Sequence, residues 1–208
     1  MAQQLAKRTG RPKGSNKEDT LSRIMPVARR LFADKGYAQT TFKDIGNELG
    51  ISHAALYSYF PSKKELYQAT VADAQALLLP FYTEAIDHGK TLKERISYIL
   101  MATAQEHDKD SSITGLLAAV PIELHRHPEL FAEMQDTNNV IMQSLHAIFF
   151  EAQANGEIAT DAPVEDLVTA LLGGGVGVAL FHYGMQRDNL RATMQVFVDL
   201  IEARLFIQ

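Results

Sequence analysis

Three residues with helix N-cap chemistry, Thr41, Ser52 and Ser62, fall within 22 positions of one another, and Gly50 stands between the first two. An N-cap hydroxyl accepts a hydrogen bond from a backbone N–H two or three residues on, so each of these positions starts a helix. Helices begun so close together must be short. Thr41 has Asp44 at the third helical position, and Phe42, Ile45 and Leu49 give that first segment an apolar face up to Gly50. Ile51 lies in the turn, Ser52 caps again, and 53–59 forms the second short helix. Ser62-Lys63-Lys64-Glu65 has capping-box form and opens a long helix.

Elsewhere the apolar period is helical almost throughout. Leu21, Ile24, Ala28, Leu31 and Phe32 mark a helix that Gly36 closes, while Pro26 either kinks it or marks its first turn. The helix from Ser62 runs through Leu66, Ala69, Ala76 and Leu77, bends at Pro80 and ends near Gly89. Further helices are expected from Leu92 to about 107–110, through Leu116 to Leu124 with a bend at Pro121, and from Pro128 to Gly156. Two more run from Asp161 and Pro163 to about Tyr183, and from 189 to 206. No strand pattern and no internal repeat interrupts them. The expected fold class is all-α, with about nine helices.

The charge is divided unevenly. The net charge of −5 combines 12 Lys/Arg and 5 Asp/Glu in residues 1–64 with 8 and 20 in residues 65–208. A basic first third joined to an acidic body suggests a polyanion-binding unit carried by a larger one. Residues 1–17 hold Lys7, Arg8, Arg11, Lys13 and Lys17 with no acid, and read as a flexible basic arm. There is no Cys, which removes disulfides, thiolate metal sites and thiol nucleophiles. No signal-peptide pattern opens the chain, and the longest weakly polar run, 167–181, is 15 residues where a membrane span needs roughly 20. A cytoplasmic protein with no membrane span is the expectation.

Two short helices joined by the turn Gly50-Ile51-Ser52-His53 have the construction of a helix-turn-helix, whose second helix enters the DNA major groove. Leu56 and Phe60, one turn apart, anchor that helix to the core. Ser52 at its cap and His53, Ala54, Ala55, Tyr57, Ser58 and Tyr59 are left on the outer side, small enough for close approach or able to hydrogen-bond phosphates and base edges. The competing reading is a surface hairpin in which Tyr57 and Tyr59 are half-buried for packing. Lys43 near the start of the first helix, and Lys63 and Lys64 at a helix N-terminus, favour phosphate contact. Gly10-Arg11-Pro12 has the form of a minor-groove hook led by Arg11.

Several separated blocks keep a common spacing: Ala28 to Phe32, Lys35 to Tyr37, Thr40 to Gly46, Gly50 to Ser52, Leu56 to Phe60 and Ser62 to Leu66. In these blocks, over about residues 20–67, the chain resembles the TetR family of one-component bacterial transcription regulators; Pro26 departs from the family's first helix. The resemblance implies phosphate-contact roles for Tyr57, Tyr59 and Lys63, and places Thr41 and Lys43 at the start of the helix lying against the backbone. His53, Ala54, Ala55 and Ser58 become the candidates for base contact. It implies three parts: an arm at 1–17, a helix-turn-helix DNA-binding domain at 18–66, and an effector-binding and dimerisation domain at 67–208. The partners implied are a double-stranded operator, a second copy of the chain and a small-molecule effector, with no cofactor.

In the larger part, Phe81, Tyr82, Met101, Leu117, Met134, Asn138, Met142 and Phe149 are candidates to line an effector pocket, or are plain core. Gly173, Gly174, Gly175 and Gly177 stand inside an apolar helix, where each costs about 1 kcal/mol relative to Ala. Close packing of a partner helix on Ala170, Gly173, Gly174 and Gly177 would offset that cost, the alternatives being a local break in the helix or room left for a ligand. The stripe Leu190, Met194, Phe197, Ile201 and Leu205 suits a four-helix dimer bundle, or the core. His125 and His127 near Glu123 and Glu129 lack a second cluster at ligand spacing, so no metal site is assigned. Nucleophile elbow, phosphate loop and HExxH are all lacking, and no enzyme is expected. The expected function is a ligand-responsive DNA-binding regulator, a repressor that binds a palindromic operator as a dimer and is released by a small, largely apolar effector. The alternative is a DNA-binding adaptor that signals to a protein partner without an effector.

Overall fold

The structure is a computed structural model that describes residues 17–133, 135–158, 160 and 162–202, with the side chains of 17 and 131–139 set aside. Among these residues there are nine α-helices, one 3₁₀ turn and no strand. They are α1 (Lys17–Gln39), α2 (Phe42–Leu49), α3 (His53–Tyr57), α4 (Lys63–His88), α5 (Leu92–Lys109), α6 (Ser112–Arg126), the 3₁₀ turn Pro128–Glu133, α7 (Gln135–Ala154), α8 (Val164–Gly184) and α9 (Leu190–Ile201).

Local chemistry sets most boundaries. Thr41 and Asp44 form a reciprocal capping box on α2, and Ser52 and Ser62 cap α3 and α4 through Ala55 N–H and Glu65 N–H. A second full capping box, Thr91 with Glu94, opens α5. That Thr-x-x-Glu signal is local and legible in the sequence. Pro26 does not start α1, which begins nine residues earlier at Lys17; it sits on the exposed side of the helix. Gly36 interrupts α1 with φ 76°, a left-handed value that marks the real helix end. Pro128 does not open a long helix either. It starts the 3₁₀ turn, and α7 begins separately at Gln135.

Two apolar clusters divide the molecule. One joins α1, α2 and α3 to the first turns of α4 through Ile24, Phe32, Ile45, Leu56, Leu66 and Val71, and it is completed by Leu116 of α6 and by Leu130. The other joins the second half of α4 to α5, α7, α8 and α9 through Tyr82, Ile99, Leu145, Ile148, Val168 and Leu190. Helix α4 therefore belongs to both, and the expected boundary at 66/67 falls inside it. Helix α6 packs on α1, so the first unit leans on the body rather than closing on itself.

Helix α8 spans 21 residues, longer than the 15-residue apolar run in the sequence, and by length and composition it could cross a membrane. One face of it is nonetheless fitted to the rest of the chain along its length, with Val168, Gly175 and His182 buried.

Candidate DNA-binding interface

The turn between α2 and α3 is fixed by two glycines with different tasks. Gly50 caps α2 at φ 67°, a conformation that suits Gly. Gly46 lies so close to the turn that a Cβ there would sit 2.7 Å from the Ile51 carbonyl oxygen, and the Ile51 N–H donates to the Gly46 carbonyl at 3.0 Å. Leu56 is fully buried and Phe60 nearly so, as the spacing required. Burying side chains of this size is worth about 1.5–3 kcal/mol each and holds α3 on the core.

The opposite face of α3 is open. Ser52, His53, Ala54, Tyr57 and Ser58 are exposed, as are Thr41 and Lys43 at the start of α2, while Ala55 is half-buried. Tyr57 leans its ring on Phe42 with centroids 4.5 Å apart and keeps half of its surface in solvent. Tyr59 is half-buried against the first cluster, so the packing role weighed for it is realised. Two hydroxyls are already engaged: Thr41 Oγ1 donates to Asp44 Oδ2 at 2.6 Å, and Ser58 Oγ donates to the Ala55 carbonyl at 2.6 Å. Hydrogen bonds from Thr41, with help from Lys35, hold the Asp44 carboxyl below its ordinary value. Arg11 lies outside the described residues.

Lys63 is placed differently from a free phosphate ligand. Its Nζ donates to the carbonyls of Tyr37 at 2.8 Å and Ala38 at 3.0 Å, and it lies 4.5 Å from the Tyr37 ring centroid. Burial holds the ammonium below its ordinary value, with Glu123 pulling the other way. Two of its three donors thus tie α4 to the end of α1, and one is left for a phosphate.

Polar contacts that the sequence did not reveal brace this unit. Along α1, Arg23 donates to the Leu49 carbonyl, Arg30 pairs with Glu48, and Lys35 pairs with Asp44 at 3.4 Å. Arg29 is buried and reaches three elements at once: Asp73 Oδ2 of α4 at 3.0 Å, Asp110 Oδ2 at 2.7 Å and Ser112 Oγ of α6 at 3.2 Å. Glu123 of α6, itself buried, accepts the Tyr37 N–H at 3.3 Å and pairs with His127. These residues are scattered across 100 positions, and no local pattern marks them.

The pocket candidates separate. Tyr82 and Phe149 are buried in the second cluster, with Met101 and Met142 packed against it. Burial pushes the Tyr82 hydroxyl up to about 12. Leu117 belongs instead with the first cluster, and Phe81 meets Tyr98 at a ring separation of 6.5 Å. Met134 and the Asn138 side chain lie outside the described residues.

The dimer candidates separate too. Ala170, Gly173 and Gly177 lie on an exposed face of α8, with open space beside both glycines. Gly174 faces inward, where a Cβ would come 2.7 Å from the Phe197 ring, and so makes room for α9 of the same chain. Leu190 and Met194 are buried in the second cluster, and Phe197, half-buried, packs against it. Ile201 is exposed, and Leu205 lies outside the described residues. Beside Ile201, exposed apolar residues outside the stripe are Val176, Leu180 and Phe181 on α8, Met185 just past its end, and Val196 and Leu200 on α9.

Comparison with known proteins agrees with this geometry. Residues 24–70 match the family model described as bacterial regulatory proteins, tetR family. The chain is 26% identical over 144 residues to the HTH-type transcriptional regulator UidR of Escherichia coli strain K12, covering 69% of this chain and 71% of that protein. Among solved structures, Salmonella enterica GusR superposes with a TM-score of 0.67 at 26% identity, covering 89% of this chain and 96% of that one. FadR from Bacillus subtilis has the same fold, with a TM-score of 0.73 at 19% identity over 86% of this chain and 96% of that one. The matched segment contains the α2–α3 pair whose outer face is open, and over residues 24–70 the chain carries the DNA-binding domain of tetR-family regulatory proteins.

Proposed function

We propose that the chain is a repressor that binds a palindromic operator as a homodimer in the cytoplasm and is released by a small, largely apolar effector. The observation that carries the DNA part is the outer face of α3, where His53, Ala54 and Tyr57 stand exposed above a helix fixed by Leu56 and Phe60. Ala54 and Ala55 let the backbone approach the groove, His53 is the candidate for a base edge, and Tyr57, Tyr59, Lys43 and Lys63 are candidates for phosphates.

Dimer formation is supported by α8. Only 17% of its most apolar 18-residue window is buried within the chain, and the exposed face combines Gly173 and Gly177 with Val176, Leu180 and Phe181. A patch of that kind needs a partner. Packing against the same patch on a second copy covers it by two-fold symmetry, which also presents two recognition helices to two half-sites. The apolar grouping of Tyr82, Met101, Met142 and Phe149 supports an apolar effector bound in the body.

The test is a reporter promoter carrying a duplex selected by the protein from a random pool. Repression that depends on His53 and is lifted by a compound that also raises the melting temperature is the expected result. Activation, or repression that no compound lifts and a protein partner alone modulates, would replace the repressor by an activator or by the adaptor.

A further inference from the structure

Tyr183, near the end of α8, and Asp34, on α1, are 149 positions apart, yet the Tyr183 hydroxyl donates to Asp34 Oδ1 at 2.7 Å. The contact requires a passage across α6. Gly115 provides it: a Cβ there would lie 2.4 Å from the Tyr183 ring, so only a residue without one admits the ring at this place.

The end of α8 that carries Tyr183 is held firmly by the body. His182 is buried, with Nε2 against Thr193 Oγ1 at 2.9 Å and Nδ1 against the Arg187 carbonyl at 3.3 Å. Asp108 of α5 accepts the Leu190 N–H at 2.8 Å and so fixes the start of α9 beside it. Two residues before Tyr183 stands Phe181, the most exposed apolar residue of α8 at 63%. At about 100° per residue the two side chains leave the helix on nearly opposite sides. One turn of α8 thus presents an uncovered apolar side to the outside and a hydroxyl to α1. Asp34 lies one half-turn before Gly36, where α1 ends and the chain enters the α2–α3 pair.

We propose that the Tyr183–Asp34 hydrogen bond is the tie by which the two-copy interface on α8 sets the position of the DNA-binding unit, with Tyr183 as a positioning residue. It rests on the dimer reading above. A partner seated on Phe181 fixes the rotation of α8, Tyr183 carries that rotation across Gly115, and Asp34 receives it on α1. The route runs outside α4 and touches none of the residues assigned to DNA.

The experiment compares Tyr183→Phe, Asp34→Ala and Asp34→Asn with the wild-type full chain. Molar mass is read by light scattering, affinity for a selected operator duplex by anisotropy, and amide exchange over α1 and α2 by mass spectrometry. The expected result is a wild-type dimer and dimeric variants, with Tyr183→Phe and Asp34→Ala each weakening operator binding about fivefold, the worth of one hydrogen bond. Both should also quicken exchange at the end of α1. A variant combining Tyr183→Phe with Asp34→Ala is no weaker than either single one, and Asp34→Asn, whose amide oxygen still accepts the hydroxyl, stays near wild type. Dimeric variants that keep wild-type affinity and exchange, with or without a lower melting temperature, overturn the tie while leaving the dimer intact. A monomeric wild type overturns the dimer reading and the tie with it. A wild-type dimer that Tyr183→Phe alone dissociates would make Tyr183 an interface residue and overturn its role as a tie.

Discussion

Lys63 Nζ donates to the Tyr37 carbonyl at 2.8 Å, so the lysine that opens α4 also closes the end of α1. A residue with two duties predicts two losses. Lys63→Ala should lower the slope of log affinity against log salt by about one, the effect of one phosphate contact. It should also lower the melting temperature, because two α1 carbonyls lose their donor. Lys43→Ala, at an exposed position, should change the salt slope without the stability cost. A Lys63→Ala protein with an unchanged salt slope would remove Lys63 from the phosphate contacts.

Arg29 joins α1, α4 and α6 from a buried position, and its removal leaves Asp73 and Asp110 without their shared cation. Arg29→Ala should cost about 3 kcal/mol in urea unfolding, the lower part of the range for breaking a buried pair, since both carboxylates keep some solvent. Arg30 pairs with Glu48 at the surface, and Arg30→Ala should cost less than about 1 kcal/mol. Equal costs would show that burial does not distinguish the two arginines.

Burial holds the His107 imidazole below its ordinary value of 6.5, with Asp108 and Asp110 opposing and His182 adding to the effect. The unfolded chain then takes up the proton more readily than the folded one. The stability this gives is complete above the unfolded value of about 6.5 and is lost as the pH falls below it. Thermal melts between pH 7.5 and 5.5 should therefore fall for the wild type and fall less for His107→Gln, which can still reach Thr114 (its present partner at 2.8 Å). Parallel curves would assign the acid sensitivity to other groups.

Phe181 and Phe150 are both highly exposed, at 63% and 70%, but only Phe181 shares its helix face with Val176, Gly177 and Leu180. Phe181→Glu should halve the molar mass measured by light scattering and weaken operator binding with it. Phe150→Glu should change neither. A Phe181→Glu protein that stays dimeric would move the interface off α8.

Much of the DNA-binding unit was legible because its signals are local. Thr41, Ser52 and Ser62 act on N–H groups three residues away, and Leu56 and Phe60 are one turn apart, so a reader of the sequence meets cause and effect together. The body was less legible for the same reason. Helix period alone cannot tell which side of α9 faces its own core, so the stripe through Leu190 and Met194 suited an interface or the core alike; both residues are buried, while Val196 and Leu200 are exposed. Gly173 and Gly174 are neighbours with opposite tasks, one open to solvent and one making room for Phe197. Glu123, Arg29 and Tyr183 act over 44 to 149 positions, and only the folded chain brings their partners to them.

Selection of bound duplexes from a random pool, followed by titration of the enriched duplex across salt concentrations, tests the DNA-binding assignment most directly. The proposed function predicts two inverted half-sites, two chains per duplex and an affinity that falls steeply with salt, with His53→Ala altering the preferred base at one position of each half-site. A pool with no enriched sequence, or binding indifferent to salt, would contradict it.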